Sequence, residues 1–270
     1  MKEQTLKFLY SRLKRKELSK EQTESKVCQE IFISKIGNNK KFSKKVAFKG
    51  GLIIDSLSNG KRGFTKDIDF DFVKYPLSNE GLTSFVDELN KSAPFNNISI
   101  VIDSIGDLRH KNYRGKRLFL LFTDEESTFR LTVDVGIFLP LVKRNTDIEY
   151  KVAFGNSTKI TINPIERMIA EKLSTFAIYG TDNTRDKDLF DAFFLIASFS
   201  SEKEIVKKIL NGLLVTKGHY FKNIKVALAH IKQTIHNNDY YLFLKTSNKN
   251  WIDCSVEQII STIIKYVDSL

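Results

Sequence analysis

Carboxylates gather in one short stretch of the chain, Thr65-Lys66-Asp67-Ile68-Asp69-Phe70-Asp71-Phe72, downstream of a glycine pair in Lys49-Gly50-Gly51. Side chains alternate along a strand, so Asp67, Asp69 and Asp71 share one face while Ile68, Phe70 and Phe72 share the other. Two such carboxylates converging on one point offer hard oxygen donors. Magnesium takes one or two of these together with substrate phosphates. A strand with one wet face gives the same pattern without a metal. The glycines bear on that choice, because a backbone without Cβ lets N–H groups approach a phosphate closely. A Gly-Gly pair also makes an ordinary turn. Neither it nor Gly60-Lys61-Arg62-Gly63 has the spacing of a P-loop or a dinucleotide fingerprint.

A third carboxylate, Asp134, interrupts the Val-rich run Thr132-Val133-Asp134-Val135-Gly136. A charge in such a strand needs a partner: a metal shared with Asp67 and Asp69, or a local ion pair with Lys or Arg. Further on, Glu171 and Lys172 sit in an otherwise apolar helical run, where a lysine near the apolar boundary can serve as a phosphate or charge-relay group. In Arg185-Asp186-Lys187-Asp188-Leu189-Phe190-Asp191, Asp188 and Asp191 fall one helical turn apart. The alternative for both clusters is a solvated helix face. His110, His219, His230 and His236 have no metal-ligand spacing and are given no role.

These residues need elements to hold them. Leu6, Leu9 and Leu13, then Val27, Ile31 and Phe32, predict two basic helices before a break at Gly37-Asn38-Asn39. Between Val46 and Val135 the period shortens, with strands expected at 46–48, 68–73, 98–102, 118–122 and 129–135. A short helix after Gly50-Gly51 and a capped one from Ser78 to Leu89 interrupt them. From Asn163 the pattern is helical, with Pro164 in a first turn and further helices near 189–196, 202–214, 219–236 and 255–269. The fold expected is α+β, a sheet domain at 1–160 and a helical bundle at 161–270.

Composition narrows the class. With 41% hydrophobic residues, 28% charged, 13 Gly and 4 Pro in 270, the chain is globular rather than disordered or collagen-like. Its net charge of +11 favours phosphate-bearing partners such as nucleotides or RNA, or an anionic membrane surface. Cys28 and Cys254 form no CxxC and suggest free thiols in a reducing cytosol. The longest apolar runs fall short of the roughly 18 to 20 residues of a membrane span, so a soluble cytoplasmic protein is expected. Basic and aromatic residues interleave at His219-Tyr220-Phe221-Lys222 and Lys225, a pattern that a basic amphipathic helix also explains.

Taken in order, these segments resemble the AbiEii-type nucleotidyltransferases, the abortive-infection and type IV toxin family of the DNA polymerase β-like superfamily. The resemblance runs from about residue 46 to 195: Gly50, Gly51, Asp67 and Asp69, then Asp134, then Glu171-Lys172, then the Arg-x-Lys-Asp-x-x-Asp of Arg185, Lys187, Asp188 and Asp191. Thr65 stands at the usual hydroxyl position, while Arg62 lies further from the Asp-x-Asp pair than the arginine of many relatives. The resemblance implies a mixed-sheet nucleotidyltransferase domain followed by a helical bundle, with the active site in the cleft between. It also implies transfer of a nucleoside monophosphate from an NTP to an acceptor, with pyrophosphate released. In that scheme Asp67, Asp69 and Asp134 hold Mg²⁺ or Mn²⁺, or Asp134 helps to deprotonate the acceptor. Gly50, Gly51, Thr65, Lys172, Arg185 and Lys187 bind the nucleotide, and Asp188 positions Lys172 or the acceptor. For some relatives the acceptor is the 3′ end of a tRNA, which the basic charge suits. A separate antitoxin protein is the implied partner, and no membrane is. A small-molecule acceptor and a catalytically silent nucleotide- or RNA-binding protein are the competing readings; the presence of all five of Asp67, Asp69, Asp134, Lys172 and Asp188 favours activity.

Overall fold

The computed structural model describes residues 4–15, 17–108, 115–137, 146–155, 157–180, 186–216 and 219–270. They form two compact units, one reaching Asn163 and the other running from Pro164 to Leu270.

The first unit opens with α1 (Leu6–Leu13) and α2 (Lys20–Asn38). Its sheet contains β1 (Val46–Lys49), β2 (Ile68–Phe72), β3 (Ser99–Asp107), β4 (Lys116–Thr123), β5 (Thr128–Ile137), β6 (Thr146–Tyr150) and β7 (Thr158–Ile162). Helix α3 (Gly50–Leu57) joins β1 to β2, and α4 (Asn79–Asn90) joins β2 to β3. The strands lie in the order β3-β4-β5-β2-β1-β7-β6. Strand β2 runs parallel to β5 and antiparallel to β1, so this is a mixed sheet. Strands β6 and β7 were not expected. Thr146-Asp-Ile-Glu-Tyr150 is too polar for a strand pattern, while the β-branched run Thr158-Lys-Ile-Thr-Ile162 is a short strand pattern that pairs with β1 and orders β6 on its other side.

One face of the sheet is aromatic. Phe70 and Phe72 of β2 meet Phe32 of α2 and Phe85 of α4 at ring separations of 5.1 to 6.2 Å, and all four are fully buried. Truncating any one to Ala costs about 3–5 kcal/mol. This packing fixes the register of β2, because a slip of one residue would send its carboxylates into the core.

Helix α2 is buried along most of its length yet carries polar groups, several of which bind distant parts of the chain. Ser25 Oγ donates to the Lys66 carbonyl at 2.9 Å, and Gln29 Nε2 donates to the carbonyls of Thr65 and Lys66 at 2.7 and 3.0 Å. These bonds pin the loop that leads into the Asp-bearing strand. Glu30 accepts from Tyr150 Oη and the Ala153 amide, both at 2.9 Å, tying α2 to the segment around β6. Lys35, fully buried, donates to the Ser92 carbonyl at 2.9 Å just beyond α4, and burial pulls its pKa down to about 8.

The second unit is helical: α5 (Ile165–Tyr179), α6 (Asp186–Ser198), α7 (Lys203–Asn211) with a π-helical turn over Gly212–Thr216, α8 (Ile224–Ile235), α9 (Asn238–Thr246) and α10 (Val256–Asp268). Pro164 occupies the cap position before α5. Helix α9 went unforeseen because it buries only Tyr240 and Leu244, too few for an apolar stripe. Among the described residues no helix is long and apolar enough to cross a membrane.

Candidate active site

Strand β2 delivers the carboxylates as the alternation predicts, with Ile68, Phe70 and Phe72 in the core, and the three acids meet different fates. Asp71 is fully buried, its Oδ1 3.1 Å from Lys49 Nζ and its Oδ2 accepting from Asn163 Nδ2 at 2.8 Å. It is a structural clamp between β2, β1 and the end of β7. Asp67 and Asp69 are half-buried. Asp69 stands directly opposite Asp134 of β5 in the parallel register. Three carboxylates thus crowd one sheet face. Burial pushes the Asp67 carboxyl above its ordinary value, and the charge of Asp134 pushes it further, while Arg117 and Lys66 pull it back.

Of the two partners weighed for Asp134, the described residues supply the ion pair. Arg117 of β4 grips it with two parallel bonds of 2.7 Å, Nε to Oδ1 and Nη2 to Oδ2. That hydrogen bonding, outweighing the desolvation that opposes it, raises the Arg117 pKa, with help from the nearby charges of Asp67 and Asp69. A carboxylate held in this fork keeps lone pairs for a further contact. Among the described residues no three His, Cys, Asp or Glu side chains form a metal-holding group. What the site offers is a carboxylate pair, which suits a cation that also takes oxygens from a bound phosphate.

The glycines serve this site through lost side-chain volume. A Cβ on Gly50 would lie 2.3 Å from Asp69 Oδ2, and Gly50 has a φ of +72° that L side chains rarely adopt. Asp69 therefore rests against the first residue of α3, a helix start with no side-chain cap. A Cβ on Gly51 would lie 2.6 Å from Arg62 Nη1, so the nearly buried Arg62 guanidinium packs on bare backbone there. Thr65 is placed by its carbonyl, held from α2.

In the helical unit Lys172 of α5 lies between two carboxylates of α6: its Nζ is 2.6 Å from Asp188 Oδ1 and 2.8 Å from Asp191 Oδ2. Helical spacing puts both acids on one side of α6, and all three groups are mostly or wholly buried. Glu171 pairs with Arg167 at 2.9 Å. Lys187 is half-buried, its amide donating to Asp186 Oδ1 at 2.9 Å. Arg185 lies outside the described residues.

Over residues 37–251 the chain matches the family described as nucleotidyl transferase AbiEii toxin of type IV toxin–antitoxin systems. The chain belongs to the AbiEii family. It is a nucleotidyltransferase, and an NTP substrate and an antitoxin partner go with membership of that toxin family. JHP933 from Helicobacter pylori is similar in fold, at 17% identity over 93% of this chain and 92% of that one, with a TM-score of 0.50. A second H. pylori chain gives 16% identity, coverage of 93% and 95%, and a TM-score of 0.43. An antigenic nucleotidyltransferase-like protein from Paracoccidioides brasiliensis gives 16%, 79% and 97%, and 0.40. No curated protein sequence matches the chain.

Two residues of this AbiEii chain's charged sites escaped the sequence reading. Arg117 was legible in principle, since a hairpin turning at Asp124–Ser127 sets Arg117 opposite Asp134. Asn163, the partner of Asp71 from 92 positions away, left no local signal.

Proposed function

We propose that this AbiEii-family enzyme transfers a nucleoside monophosphate from an NTP to an RNA acceptor, the 3′ end of a tRNA being one candidate, with Mg²⁺ or Mn²⁺ bound by Asp67 and Asp69. The observation that carries the reading is the meeting of Asp69, Asp134 and the Cβ-less backbone of Gly50 on the central strands of the sheet. A divalent ion bound there neutralises phosphate charge as it develops. The acceptor hydroxyl oxygen bonds to the α-phosphorus as the bond from that phosphorus to the α–β bridging oxygen breaks, and pyrophosphate leaves with the electron pair. The Gly50-Gly51 backbone cradles the phosphates. Asp134, fixed by Arg117, accepts a hydrogen bond from the acceptor hydroxyl and orients it, and the proton leaves through that bond and on to water. Lys172 meets phosphate charge, with Asp188 and Asp191 limiting where its ammonium can go. Arg185, Lys187 and Thr65 complete the nucleotide contacts in this proposal. In the cell the enzyme acts as a toxin held in check by a separate antitoxin protein.

The test is label transfer from each α-³²P NTP to total RNA with Mg²⁺, wild type beside Asp69→Ala. Labelled RNA with wild type alone is the expected result. Label on a protein or a small molecule instead, or equal label with Asp69→Ala, overturns the proposal.

A further inference from the structure

The face of the sheet that carries Asp69 and Asp134 continues outward over β5, β4 and β3, where apolar and basic side chains stand open among the described residues. The register sets Arg117 opposite Asp134, Phe119 opposite Thr132 and Leu121 opposite Arg130, with Val101 of β3 opposite Leu121. Because side chains alternate, all of these point to the Asp134 side. Phe119 is 41% exposed and Val101 52%, in strands whose opposite face, Leu118, Leu120 and Phe122, is buried. Arg130 is exposed and has no ion-pair partner among the described residues. Phe119 and Val101 are neighbours on that face and with Leu121 form one open apolar strip, which marks a contact surface better than a lone exposed side chain does.

We propose that this face is the bed of the RNA acceptor, with the base next to the attacking hydroxyl stacked on Phe119 and a backbone phosphate met by Arg130. The inference rests on the RNA-transfer reading above and adds the route by which the acceptor enters. Strand spacing and rise put the Phe119 and Asp134 Cα atoms about 8 Å apart, the scale of a single nucleotide step. In-line displacement decides between acceptor and NTP as occupant. Attacking and leaving oxygens lie on opposite sides of the phosphorus. In the strand order the glycine cradle follows β1 on one side of β2, and β5, β4 and β3 lie on the other. With pyrophosphate leaving over Gly50-Gly51, the nucleophile arrives from Asp134 and the strand it belongs to lies over β4. An open ring beside an exposed arginine is the pairing that holds single strands by stacking and phosphate contact, and the net charge of +11 suits it.

The experiment measures anisotropy of a short fluorescein-labelled single-stranded oligoribonucleotide with the full chain. Wild type is compared with Phe119→Ala, Phe119→Tyr and Arg130→Gln, each melted to check its fold. Phe119→Ala is expected to weaken binding on the order of tenfold to a hundredfold and Phe119→Tyr hardly at all. Arg130→Gln is expected to lower the salt slope by about one. In transfer, Phe119→Ala raises KM for RNA and leaves KM for the NTP unchanged. Wild type that does not bind the oligonucleotide, an indifferent Phe119→Ala, or a defect confined to the NTP overturns the proposal. Normal transfer to RNA by Phe119→Ala removes the bed and keeps the reaction. Lost RNA binding by Phe119→Ala in a chain that labels no RNA removes the reaction and keeps the bed.

Discussion

The two charged clusters of this protein are built on opposite plans. On the sheet, Asp67, Asp69 and Asp134 crowd one face, Arg117 holds Asp134 in a two-bonded fork, and burial together with the charge of Asp134 leaves the Asp67 carboxyl reluctant to ionise. In the helical unit, Lys172 sits between Asp188 and Asp191 at 2.6 and 2.8 Å, with little solvent on any of the three. One cluster brings three carboxylates together on a half-buried sheet face. The other pairs its lysine with two carboxylates and holds that lysine still. Excess charge is a binding device and costs stability; paired charge is a positioning device whose loss is felt in stability first.

Breaking the helical cluster has the largest expected effect. Lys172→Met leaves two buried carboxylates side by side and is expected to destabilise the fold by about 3–5 kcal/mol, read as the shift in a urea midpoint. Adding Asp188→Asn and Asp191→Asn should recover most of that stability without recovering transfer. A single variant as stable as wild type would show that the cluster is not paired in this way.

Gly50→Ala tests the other plan. Its Cβ cannot coexist with Asp69 where that carboxylate stands, so transfer should fall on the order of a hundredfold from misplacement alone. The left-handed backbone adds a stability loss of about 1–2 kcal/mol. Unchanged kinetics would mean that Asp69 has slack the contact distances deny.

The mildest probe is Arg117→Gln. With the guanidinium gone, the Asp67 carboxyl loses a charge that pulls its pKa down and should titrate at still higher pH, measured by carbon NMR of labelled Asp in the metal-free chain. The sign carries to stability. A carboxyl raised in the folded state favours folding at low pH, and that contribution fades as pH rises through its folded pKa. A carboxyl that moves down in the variant would break the comparison.

Much of this was readable from residue order. The alternation around Asp67 and Asp69, the helix from Ser78 and the one-turn spacing of Asp188 and Asp191 depend on local periods, and local periods survive in sequence. What escaped depends on partners distant in the chain. Alternation puts Asp71 on the face of Asp67 and Asp69 but does not show that Lys49 and Asn163 engage it in a buried clamp. The Gly50-Gly51 pair suggested close approach of a phosphate, or an ordinary turn, and gave no sign of the protein groups packed against it. Asp69 and the Arg62 guanidinium are the protein groups that approach. Strand β6 is short and polar and is ordered by its pairing with β7, which is itself only five residues long.

Lys35 carries a consequence of its own. An ammonium sealed beneath α4 with a pKa of about 8 belongs to a chain that gives up a proton when it folds in mildly alkaline buffer. Between that value and the ordinary lysine pKa of about 10.4 the unfolded chain is the more protonated state, so alkali favours the folded one. A basic protein is expected to gain from alkali only through weaker surface repulsion. This one also draws on a single interior nitrogen, and its heat of unfolding there should vary with the ionisation enthalpy of the buffer that supplies the proton.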